Sequence, residues 1–88
     1  MSDIVVTIYG KDNCHWCKEA KSLAENYSLK YEYKNIGTSE NRNEMFKLVP
    51  NAKTVPQIFW NNKHIGGYNE FVSEIENTLG SNFGQELF

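Results

Sequence analysis

Cys14 and Cys17 are the residues of this 88-residue chain best suited to chemistry, and they are its only cysteines. Residues three apart in the first turn of a helix share a face, with Cα atoms about 5–6 Å apart. That separation falls within the range a disulfide bridges, so the pair can open and close without moving the backbone. The two sulfurs are not equivalent. Cys14 stands at a helix start, where unpaired N–H groups and the positive end of the dipole favour a thiolate, and Lys11 and Lys18 add positive charge. Cys17 falls one turn in, on the apolar face with Ala20 and Leu23, where desolvation favours the thiol. This predicts an attacking Cys14 and a resolving Cys17, with a mixed disulfide collapsing onto the second thiol. The competing reading is two inert structural cysteines or half of a metal site.

The surrounding elements weigh against that alternative. Ile4-Val-Val-Thr-Ile-Tyr9 is a β-branched, nearly continuous apolar run, as in a strand covered on both faces, and Gly10 ends it. Trp16, Cys17, Ala20, Leu23, Ala24 and Tyr27 then recur at helical spacing, with Asp12 or Asn13 placed to cap the helix. A CxxC pair that opens a helix directly after a buried strand is the setting of a redox motif. Further on, Leu29–Tyr33 alternates like a half-exposed strand. Thr38-Ser39-Glu40 starts a second helix, with Met45, Phe46, Leu48 and Val49 as its apolar face and Pro50 as its stop. Gln57–Trp60 and Lys63–Ile65 flank Asn61-Asn62, a two-residue hairpin turn. Phe71, Val72, Ile75 and Leu79 mark a last helix that Gly80 closes, and Ser81–Phe88 reads as a frayed tail of a single domain spanning 1–88.

The order is β-α-β-α-β-β-α: a right-handed parallel crossover plus an antiparallel hairpin, giving a four-stranded mixed α/β sheet flanked by helices. Its first strand delivers Lys11–Cys14 at a carboxyl end, where such sheets place their sites. Composition narrows the functions. Nine basic against eleven acidic residues give a net charge of −2, which argues against nucleic acid as partner. No apolar run approaches the roughly 18 residues of a membrane span. The N-terminus leads straight into a strand-like run rather than a secretory leader, and a reducing dithiol of this kind is expected in the cytoplasm.

Three segments in register, Lys11 to Cys17, Thr54-Val-Pro-Gln-Ile-Phe59 and Ile65-Gly-Gly67, resemble the glutaredoxins, dithiol members of the thioredoxin fold. The resemblance covers all but the last few residues and implies glutathione-dependent thiol–disulfide exchange on protein disulfides and glutathionylated thiols, by a monomer with glutathione as co-substrate and no metal. It implies a cis Val55-Pro56 bond facing the active cysteines, with the Val55 main chain pairing with the cysteinyl part of glutathione like an added strand. Gly67 with the Tyr68 and Asn69 N–H groups would receive the γ-glutamyl carboxylate at a helix N-terminus. Lys11 would meet the glycyl carboxylate, and Arg42 stands about where the family often has Arg or Gln; solvated surface charge is its alternative. Trp16 would wall the site or pack in the core.

The chain departs from the family in carrying His15-Trp16 where Pro-Tyr is usual, and Asn69 where Asp is usual. Asn caps a helix but leaves the ligand's ammonium without a counter-charge. His15 beside Cys14 could steady the thiolate as an imidazolium; His64 reads as an exposed edge-strand residue without a role. Ribonucleotide reductase is a client the resemblance implies. Three rivals remain: a reductant of the same fold recharged by a flavoprotein; a carrier of an iron–sulfur cluster ligated by glutathione, against which the bulk of Trp16 counts; and a non-enzymatic binding module of the thioredoxin fold whose cysteines are incidental.

Overall fold

In the computed structural model, which describes residues 4–80, the chain runs β1 Val5–Gly10, α1 His15–Asn26, β2 Lys30–Asn35, α2 Ser39–Leu48, β3 Gln57–Trp60, β4 Lys63–Gly66 and α3 Tyr68–Leu79. The expected tail at 81–88 lies outside the described residues. The sheet order is β2-β1-β3-β4. β1 and β2 are parallel, from Val5 opposite Lys30 to Gly10 opposite Asn35, while β1–β3 and β3–β4 are antiparallel. The mixed sheet and the element order are those expected from the sequence.

β1 and β3 occupy the middle of the sheet, which explains why both lack polar alternation. Along β1, Val6 and Ile8 face α1 and α3, where they meet Ala20, Ala24, Phe71 and Ile75 with Ile58 and Trp60 of β3. Tyr9, the residue after Ile8, faces the other way and forms a smaller cluster with Met45 of α2 and Phe59. The side-chain period of two thus sends one strand into two cores. The β2 pattern is the half-exposed one its sequence predicts, with Tyr31 and Tyr33 leaning on the larger core.

The hairpin turn forms at Asn61 and Asn62, with φ of 51° and 70°, the left-handed pair a two-residue turn requires. Asn61 also fastens the turn to β1: its Oδ1 accepts from the Val5 N–H at 2.8 Å and its own N–H donates to the Val5 carbonyl at 2.9 Å. α2 departs from expectation. Thr38 caps it as predicted, its hydroxyl accepting from the Asn41 N–H at 3.2 Å. Its apolar face is narrower, because only Met45 is buried, while Phe46 and Leu48 are 41% and 51% exposed. A single row of a short helix reaches the sheet here, and the adjacent rows point to solvent.

α2 is tied to the sheet edge by the Lys34–Glu44 pair, with Nζ 2.9 and 3.1 Å from the two carboxylate oxygens. The hydrogen bond from Lys34 is the chief cause holding the Glu44 carboxyl below its ordinary range, and the same bond raises the Lys34 ammonium. With the Glu44 side chain 40% exposed, screening leaves such a pair about 0.5 kcal/mol. A depressed carboxylate contributes fully above its unfolded pKa and is lost as the pH falls through the lower folded pKa. Glu44→Gln is therefore expected to reduce unfolding free energy by about 0.5 kcal/mol at neutral pH, with the difference vanishing below the carboxylate range. Urea titrations across that interval measure it.

Candidate functional site

The site begins where β1 ends. Gly10 closes the strand against Tyr33 and Cys17: a Cβ on Gly10 would stand 2.8 Å from the Tyr33 Cζ and 2.9 Å from the Cys17 Sγ. That close approach, rather than strand termination alone, requires glycine here. The chain then turns through Lys11–Asn13, with Asn13 in the left-handed region at φ 58°. The Tyr33 hydroxyl donates to the Lys11 carbonyl at 3.2 Å, and Asp12 accepts from the Asn35 amide at 3.0 Å. Burial first, then the Asp12 charge, pushes the Tyr33 phenol up, keeping it a donor to this loop.

Neither Asp12 nor Asn13 caps α1, which corrects the sequence reading. Cys14 is the N-cap, in extended conformation, and its Sγ accepts from the Cys17 N–H at 3.2 Å. Asp12 is held by Asn35 and Asn13 is spent on the turn, so the sulfur takes the place of the usual capping oxygen. No acidic residue occupies the first helical turn, so the dipole and N–H groups act on that sulfur unopposed.

Cys14 and Cys17 form a disulfide with Cα atoms 5.2 Å apart. Cys17 is completely inaccessible, while Cys14 retains 9% of its surface. Cys14 is more enclosed than a free-standing nucleophile, yet it is the only sulfur of the bond that an incoming thiol can reach. His15 is not among its hydrogen-bond partners; the imidazole stands edge-on to Trp16, ring centroids 4.7 Å apart.

Over the disulfide lies the segment Thr54–Pro56, whose Val55-Pro56 bond is cis, as the resemblance implied. The Val55 carbonyl oxygen is 3.8 Å from the Cys14 Sγ. One cleft opens on each side of this segment. The larger, about 330 Å³, has Val55 and Pro56 for a floor, Trp16 for one wall, and Gly67, Tyr68 and Asn69 at the start of α3 for the other. Trp16 is 52% exposed and meets Tyr68 at 5.1 Å between ring centroids, so it belongs to the cleft wall rather than the core. The smaller cleft, about 170 Å³, places Lys11 and Lys53 over Ile36, Met45 and Phe46. Among the described residues neither lysine is ion-paired.

The structure thus gathers Lys11, Cys14, Trp16, Thr54, Val55, Pro56, Gly67, Tyr68 and Asn69 around one reactive bond. Arg42 is left aside: its guanidinium donates to the Ile36 carbonyl at 3.3 Å and lines neither cleft. Asn69 is not a cap, because α3 starts one residue earlier, with Gly67 as N-cap. Sequence reasoning passed over Lys53 and Glu70. Lys53 immediately precedes the Thr-Val-Pro run, and that adjacency was its available signal. Glu70 lines the larger cleft, with its Oε1 accepting from the Gly67 N–H at 2.9 Å. Gly66 at φ 122° permits this, since a Cβ there would stand 2.8 Å from the Glu70 Cγ.

A disulfide at a helix N-cap, with one reachable sulfur under a cis-proline segment, can exchange with external thiols through Cys14 and be re-formed or resolved through Cys17. With the β-α-β-α-β-β-α sheet beneath it, this defines a thiol–disulfide oxidoreductase of the thioredoxin fold. Residues 6–65 match the family model described as Glutaredoxin. Glutaredoxin 1 of Escherichia coli is 36% identical over 81 residues, covering 82% of this chain and 93% of that one. Glutaredoxin-1 of ectromelia virus is 36% identical over 78 residues, covering 82% and 71%. The solution structure of reduced Escherichia coli glutaredoxin superposes with a TM-score of 0.74 at 32% identity, over 85% of this chain and 96% of that one. The chain belongs to the glutaredoxin family.

Because Gly10 abuts both Tyr33 and the resolving sulfur, Gly10→Ala is expected to lose about 1–3 kcal/mol of unfolding free energy. The nearest atom to the added methyl is the Tyr33 hydroxyl, so the loss should shrink in a Tyr33→Phe background. Denaturant melts of the two single variants and the double variant close that cycle.

Proposed function

We propose that the protein is a dithiol glutaredoxin that draws its electrons from glutathione and reduces protein disulfides and glutathionylated thiols. The observation that carries this reading is the pair of clefts flanking Val55, one ending in Lys11 and Lys53 and the other at the N-terminus of α3. A tripeptide with a carboxylate at each end, paired along Val55, fits that arrangement: its glycyl carboxylate towards the lysines, its γ-glutamyl carboxylate on the Tyr68 and Asn69 N–H groups. Glu70 supplies the counter-charge for the γ-glutamyl ammonium that Asn69 lacks.

The cycle conserves electrons at each step. The Cys14 thiolate attacks the glutathione sulfur of a mixed disulfide, forming Cys14–glutathione and releasing the client thiolate. A second glutathione thiolate then takes the bound glutathione as glutathione disulfide and restores the Cys14 thiolate. On a protein disulfide, Cys14 forms the mixed disulfide with one client sulfur, and Cys17 displaces it to close the bond seen here, releasing the second client thiolate. Two glutathiones reopen that bond, the first by attacking Cys14, the accessible sulfur, so that Cys17 leaves as the thiol. Ribonucleotide reductase is among the protein disulfides we propose as clients, and a monomer in the reducing cytoplasm suits this chemistry.

Cys14→Ser is expected to abolish both activities in a glutathione-coupled assay. Cys17→Ser is expected to keep deglutathionylation and lose protein-disulfide reduction. Lys11→Ala and Glu70→Gln are each expected to raise KM for a glutathionylated peptide by about 3–10-fold, the loss of one charge-assisted contact. Turnover with NADPH and a flavoprotein reductase, and none with glutathione, would replace this reading with that of a thioredoxin-like reductant.

A further inference from the structure

Gln57 is the one polar residue buried in the core of the described chain, 8% exposed, and thiol exchange gives it no task. Its amide nitrogen donates to the Thr54 carbonyl at 2.8 Å, and its amide oxygen lies 2.7 Å from the His64 Nε2. Those contacts determine the donor assignments. A reversed amide would set its oxygen against the Thr54 carbonyl, acceptor against acceptor, so the oxygen faces His64 and the His64 Nε2 carries the proton. Phe59, cross-strand from His64, holds the imidazole by a ring contact at 5.1 Å. A chain of two donated hydrogen bonds therefore runs from the edge strand β4, through β3, to the carbonyl of Thr54.

That carbonyl shares a planar peptide unit with the Val55 N–H. In a trans peptide the two groups point in opposite directions and rotate together. Among the described residues nothing accepts from the Val55 N–H, and the Val55 carbonyl is the group beside the Cys14 sulfur. Holding the Thr54 oxygen from behind fixes where the free N–H points in front. We propose that Gln57 and His64 are positioning residues that aim the Val55 N–H at the substrate backbone, so that the edge of the sheet sets the affinity for a peptide-like disulfide. This rests on the glutathione reading for the identity of the substrate, but the aiming itself is a property of the free protein.

The test compares wild type with Gln57→Met, His64→Phe and His64→Gln on two disulfides of one peptide: its glutathione adduct, and its mercaptoethanol adduct, whose half attacked by Cys14 has no backbone amide to pair. Gln57→Met is expected to raise KM for the glutathione adduct by about 3–10-fold. kcat, the Cys14 thiolate titration and kcat/KM on the mercaptoethanol adduct should stay unchanged. His64→Phe keeps the ring contact and loses the donor, so it should shift KM the same way by a smaller factor. His64→Gln, which can donate again, should restore it. Equal effects on both adducts, or an unchanged KM, would overturn the proposal. If wild type itself does not favour the glutathione adduct, the glutathione reading fails; the aiming is then decided by the Val55 N–H residual dipolar coupling. A coupling changed in Gln57→Met and His64→Phe but not in His64→Gln upholds the proposal, and one unchanged in all three removes it.

Discussion

The structure depends on one hydrogen bond of an unusual kind, the Cys17 N–H donated to the sulfur of Cys14 at a helix N-cap. A helix start needs an acceptor for its first free N–H groups, and serine, threonine, aspartate or asparagine ordinarily supplies an oxygen. Here the acceptor is also the reacting atom. A thiolate accepts hydrogen bonds more strongly than a disulfide sulfur, so the interaction that begins the helix also favours the reduced, nucleophilic form of Cys14. Local structure and reactivity are therefore coupled through one atom, and the position of α1 follows from both.

Everything around that atom serves to keep the two sulfurs different. β1 ends in a glycine close enough to Tyr33 and the Cys17 sulfur to exclude any side chain, and Cys17 behind it has no exposed surface. Tyr33, from the parallel neighbour β2, reaches across to hold the Lys11 carbonyl, so the loop entering the helix is braced by the strand beside it. Thr54–Pro56 lies against the disulfide, with the Val55 carbonyl oxygen 3.8 Å from the Cys14 Sγ, and Cys14 keeps only a small exposed surface. Attack from outside is restricted to one sulfur by packing, with electrostatics adding to the same preference.

The two faces of the sheet contribute unequally. α1 and α3 share a continuous apolar core with β1 and β3, and both present their N-termini to the site, one to the sulfur and one to the larger cleft. α2 is held by Met45 and by a partly exposed ion pair. It adds Phe46 and Met45 to the wall of the lysine-bearing cleft and little to the core. The side of the sheet that carries the reactive helix is the one packed more heavily.

Much of this was legible in the residue order, because it rests on short-range rules. The unbroken apolar character of β1, the helical recurrence after Cys14, the Asn61-Asn62 turn and the Thr38 cap each follow from a few consecutive residues. So did the asymmetry of the cysteines, since the burial of Cys17 follows from its place on the face with Ala20. The cap of α1 was not legible: Asp12 and Asn13 are better capping types than cysteine, and they were diverted by Asn35 and by a left-handed turn that only the folded loop reveals. Arg42 turned to the Ile36 carbonyl, Glu70 entered the cleft through the conformation of Gly66, and His64 reached Gln57 across a strand pair. In each case the partner is brought near by sheet register or a loop conformation, not by neighbouring sequence. Alone, the chain determined which atoms could react and in which order the elements occur. Tertiary structure decided which sulfur is reachable and which groups surround it, because those depend on contacts between segments far apart in sequence.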